Sequence, residues 1–83
     1  MTHRARLSDV DTAALVDAAW FLATLADDAE AARNRARCPA ARGYAARYAA
    51  LLRRRLAYVE AVRDGRRPLV RAVATRLGAT LRT

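Results

Sequence analysis

The sequence predicts an all-α fold: a long antiparallel helical hairpin and a shorter C-terminal helix, dimerising into a helical bundle. Three observations carry that expectation. Over Tyr44 to Val62, the residues Tyr44, Tyr48, Leu51, Leu52, Tyr58, Val59 and Val62 fall within one broad stripe at 100° per residue. Alanine, the best helix former, supplies 22 of the 45 apolar residues, and isoleucine is absent. Finally, Pro39 and the pair Gly65 and Pro68 cut the chain into three segments, none with the alternation of a strand.

Residues 1–8 read as a basic N-terminal arm, and residues 9–83 as a single three-helix domain. Ser8 is a good N-cap, and Asp9 and Asp11 complement the dipole of the first turn behind it. Helix 1 is expected over about 9–36. Leu15, Ala18, Phe21, Leu22, Leu25 and Ala29 share one of its faces, while Val16 and Trp20 point elsewhere. A helix with two apolar faces has two neighbours, so one is helix 2 and the other is helix 3 or a second subunit. Pro39 disfavours helix at Cys38 and suits the first turn of helix 2, expected over about 40–64. Gly43 weakens that start, so firm order is expected from Tyr44. Gly65 is the expected C′ residue. Helix 3 is expected over about 69–81, with Val70, Val73, Ala74, Leu77 and Leu81 as its stripe.

A chain of 83 residues has room for one domain. At this size a monomer buries only about two-thirds of its unfolded surface, and alanine adds little to a core. Short chains with thin cores are commonly completed by oligomerisation, hence the expected homodimer. Val16, Trp20, Tyr48 and Arg55 are the expected dimer or core contacts. Arg55 falls in the middle of the helix 2 stripe, where a charge must be paired or reach outward along its stem. The expected partners for it are the Asp17 carboxylate or the Trp20 ring. The three tyrosines of helix 2 could stack unpaired bases, but at helical spacing on an apolar stripe they read as core.

Charge is unevenly placed. Residues 9–30 carry six acids and no base, whereas residues 31–83 carry fourteen arginines against Glu60 and Asp64. Pairing absorbs only part of that excess, since the whole chain stands at +8. All 16 basic residues are arginine, a bias that a GC-rich genome produces unaided but that also suits phosphate and carboxylate forks. Arg35, Arg37, Arg42, Arg47, Arg53, Arg54, Arg66 and Arg67 are the expected binding residues. They suit nucleic acid bound without sequence preference, or an acidic protein surface met by an adaptor or inhibitor of the phage or mobile-element type. Anionic lipid is less suited, because bulky apolar residues do not accompany the arginines.

The tail RAVATRLGAT resembles the first half of a helix-turn-helix, with Ala74 four residues before Gly78. Only five residues follow Gly78, where a recognition helix needs about a dozen, so the tail reads as an ordinary amphipathic helix. Catalysis finds little support: His3 is the only histidine, and Cys38 is the only cysteine and has no paired base. A lone cysteine excludes an internal disulfide and a cysteine-based metal site. No cofactor or metal is expected. The apolar run Ala13–Ala26 contains Asp17 and is too short to span a bilayer, so the protein is expected in the cytoplasm.

Overall fold

In the computed structural model, which describes residues 7–70, the chain forms two α-helices packed on each other, and no described residue lies in a strand. Helix α1 spans Asp9–Arg35 and α2 spans Pro39–Arg63. Neither is long and apolar enough to cross a membrane. The expected third helix falls mostly outside the described residues: Leu69 and Val70 are not helical, and 71–83, with the helix-turn-helix resemblance, lie beyond them, as does the arm over residues 1–6.

Local chemistry sets the helix ends. The Asp11 N–H donates to Ser8 Oγ at 3.1 Å, and Asp9 and Asp11 occupy the first turn of α1 where its dipole is positive. At the far end, Arg33 and Arg35 lie in the last turn, and Ala36 turns to extended backbone at φ −66° and ψ 130°. The three residues Ala36 to Cys38 join the helices. Pro39 then begins α2, having no N–H to lose at that position. Gly43 is helical rather than a break, which corrects the later start expected at Tyr44. The C-terminus of α2 closes in a Schellman motif. Gly65 sits at φ 76°, its N–H donates to the Val62 carbonyl at 3.1 Å, and the Arg66 N–H donates to the Ala61 carbonyl at 2.8 Å.

The buried face runs through alanines. On α1 it comprises Leu15, Ala18, Ala19, Leu22, Ala26 and Ala29; on α2 it comprises Ala45, Ala49, Leu52, Val59, Ala61 and Val62. The recurrent steps of three and four along both helices keep one line of each turned to its partner, as in a coiled coil. Small side chains on that line let the two backbones approach closely. Leu15, Leu52, Val59 and Val62 are the largest fully buried side chains, each worth about 1.5–3 kcal/mol.

This placement keeps Leu52, Val59 and Val62 of the expected α2 stripe and Leu15, Ala18, Leu22 and Ala29 of the expected α1 face, and corrects the rest. Tyr44, Tyr48, Leu51 and Tyr58 each precede a buried residue by one position, as do Phe21 and Leu25 on α1. One position is 100° around a helix, so these large side chains lie on a flank instead of the seam. Tyr44 and Phe21 are more than half exposed, whereas Leu25 and Tyr58 pack against the edge of the core. The Tyr58 hydroxyl is buried with no hydrogen-bond partner among the described residues. Leu7 and Leu69 cover the core from the two ends of the described chain.

Candidate nucleic-acid interface

Between Glu30 and Glu60 the chain carries eight arginines, Arg33, Arg35, Arg37, Arg42, Arg47, Arg53, Arg54 and Arg55, and no acid. The joint between the helices carries the first four. Arg33 and Arg35 complement the negative end of the α1 dipole, a local role that fits their place in its last turn. Arg42 donates from Nη2 to the Ala36 carbonyl at 3.1 Å, which satisfies a backbone acceptor beyond the helix end and ties the joint together. Arg37 is exposed and has no ion-pair partner among the described residues.

The two helix N-termini are treated in opposite ways. At α1, a hydroxyl cap and two carboxylates meet the positive end of the dipole. At α2, the first turn has no acid, and the cap is the Cys38 sulfur, accepting the Ala41 N–H at 3.4 Å. Arg37 and Arg42 add positive charge where the dipole is already positive. Like charge there costs about 0.3–1 kcal/mol, and a bound anion removes that cost.

Arg53 is spent elsewhere. Its Nη2 donates to Asp27 at 2.7 Å and its Nε to Glu30 at 3.0 Å, bridging α2 to α1. The hydrogen bond to Glu30, and then that to Asp27, raises the guanidinium pKa above its ordinary value. Arg63 pairs with Asp64 at 3.2 Å and with Glu60 at 3.6 Å, and Arg66 reaches Asp64 at 3.4 Å. The hydrogen bond from Arg63 holds the Asp64 carboxyl below the usual carboxylate range. Arg67, Arg47 and Arg54 are exposed with no ion pair among the described residues. Arg66 and Arg67 follow α2 and stand apart from the joint, so the eight expected binding residues do not form one cluster. Arg35, Arg37 and Arg42 gather at the joint, Arg47 and Arg54 lie in line along α2, and Arg53 is tied to carboxylates.

Arg55 is half-buried and makes no ion pair with Asp17. Trp20 is 70% exposed and Val16 46%, so neither is core within one chain. Tyr48, at 39%, is likewise outside the core. Arg33 belongs with the joint cluster by position, and its place in the acid-free stretch is the sequence signal for it. Among the described residues no three His, Cys, Asp or Glu side chains gather to hold a metal. No model of a known protein family matches the chain, and no curated protein or solved structure matches it either.

Proposed function

We propose that this chain is a small non-enzymatic binding module that grips the phosphate backbone of nucleic acid, without sequence preference, at the joint between its helices. The observation that carries the reading is the acid-free stretch between Glu30 and Glu60, in which, among the described residues, Arg53 alone of eight arginines is ion-paired. Arg35, Arg37, Arg42 and Arg47 are the proposed phosphate contacts, at and just beyond a helix N-terminus that has no acid of its own. Elsewhere in the described chain, residues 7–30 carry six acids and no arginine, and residues 60–70 carry two acids and three arginines.

In this reading the helices run antiparallel, as a three-residue connection between packed helices favours. Two copies associate through the side of α1 that carries Val16 and Trp20, giving a four-helix bundle. Exposed large apolar side chains support that association.

The test is fluorescence anisotropy of a labelled oligonucleotide of arbitrary sequence, titrated with the full chain at low salt. Saturable binding that unlabelled nucleic acid of unrelated sequence competes away is the expected result. Absence of binding, together with capture by a polyglutamate surface, would transfer the arginines to an acidic protein partner.

A further inference from the structure

On the side of the helix pair away from the Arg53 bridge, α2 displays aromatic rings. Arg53, Glu30 and Asp27 each follow a buried residue by one position, and they meet on one flank. Tyr44, Tyr48 and Leu51 each precede a buried residue, which puts them on the other flank. They are 69%, 39% and 36% exposed. Their spacing of four and three sets neighbouring side chains about 6 Å apart along one line of the helix. Arg55, four residues on, continues that line. Arg47 and Arg54 border it on the outer side of α2. None of these three arginines is ion-paired among the described residues.

The other border is different. On α1, Phe21 and Leu25 also precede buried residues, and the level at which Arg53 meets Asp27 and Glu30 puts them beside the later part of α2, past Leu51. Beside Tyr44 and Tyr48 the stripe therefore has a cationic edge on α2. A polyanion with apolar faces fits it in one orientation, with its charges along Arg47 and Arg54 and its faces on the rings.

We propose that Tyr44 and Tyr48 form a base-stacking platform, so that the nucleic acid held by this protein is single-stranded. Phosphates follow Arg47 and Arg54 away from the joint, two unpaired bases lie on the two rings, and Leu51 extends the apolar floor. A duplex keeps its base faces stacked inside and meets only the arginines, whereas a single strand uses both. The proposal rests on the phosphate-binding reading and specifies which nucleic acid satisfies it.

The experiment compares oligothymidylate with a duplex carrying the same number of phosphates, at one salt concentration. The proteins are the full chain, Tyr44→Ala, Tyr48→Ala and the corresponding phenylalanine variants. Circular dichroism confirms that each exposed-site variant keeps its helices, and light scattering reports its mass. The expected result is tighter binding of the strand than of the duplex. Each alanine variant should lose about tenfold in strand affinity, with the phenylalanine variants close to the parent.

If strand and duplex both bind the parent and neither alanine variant weakens the strand, the platform is overturned while the phosphate reading stands. If neither ligand binds the parent, both fall. Alanine variants that halve the mass without changing strand affinity would make the stripe an interface between copies, which also overturns the proposal.

Discussion

Gly43 lies inside α2, where its freedom to adopt other conformations counts against the fold. A Cβ built there would meet only the Arg47 Nη1 at 3.4 Å, an ordinary contact with the end of a flexible side chain. Gly43→Ala is therefore expected to raise stability by about 0.5–1 kcal/mol, read as a higher midpoint in urea. Tyr58 poses the opposite problem, since its hydroxyl is buried without a partner among the described residues. Tyr58→Phe removes that group and keeps the ring, so thermal unfolding should show no loss and a gain of about 1 kcal/mol. The helix ends were legible at this scale because each rests on a few adjacent residues. Ser8 announces a cap by its hydroxyl, and Gly65 a C′ position by its freedom to take positive φ. Gly43 was misread because Pro39 already pre-sets the first turn, and the packing of Ala45 and Ala49 keeps α2 continuous through the glycine.

At the scale of the element, the seam between α1 and α2 follows the alanines, and the bulky residues flank it. Weighting large side chains drew the expected stripe through Tyr44, Tyr48 and Leu51, one position short of the buried line through Ala45, Ala49 and Leu52. Alanine contributes little to any hydrophobic sum, so its role as a spacer that sets helix separation is invisible to such a sum. The repeat of steps of three and four through those alanines was in the sequence, and it is the signal that locates the seam. Ala26 is fully buried. Ala26→Leu is accordingly expected to cost about 1–3 kcal/mol despite the added apolar area, because the helices must move apart to admit it. Arg55 follows from the same shift: it flanks the seam, so it needs no buried carboxylate.

For the whole molecule, charge and apolar surface are segregated. The joint and the start of α2 are basic, whereas the first turn of α1 is acidic, and at the end of α2 Arg63 pairs with Glu60 and Asp64 and Arg66 with Asp64. The excess of arginine was legible from composition, but its division into spent and available groups was not, because Arg53 meets Asp27 and Glu30 only once the helices pack. With Trp20 70% exposed, the proposed homodimer is tested by Trp20→Glu. Light scattering should give twice the 9.1 kDa chain mass for the parent and a single chain for the variant, with helicity retained in both.

The proposed grip on phosphate is tested most directly by the salt dependence of strand affinity. Five phosphate contacts, at Arg35, Arg37, Arg42, Arg47 and Arg54, predict a slope of log K against log salt of about −3.5 for a single strand. The combined variant Arg35→Ala, Arg37→Ala and Arg42→Ala should lose about 2 of that slope, while Arg53→Ala, whose guanidinium is held by carboxylates, should leave it unchanged. A slope near zero in the parent, or a combined variant that keeps the parent's slope, would contradict the account.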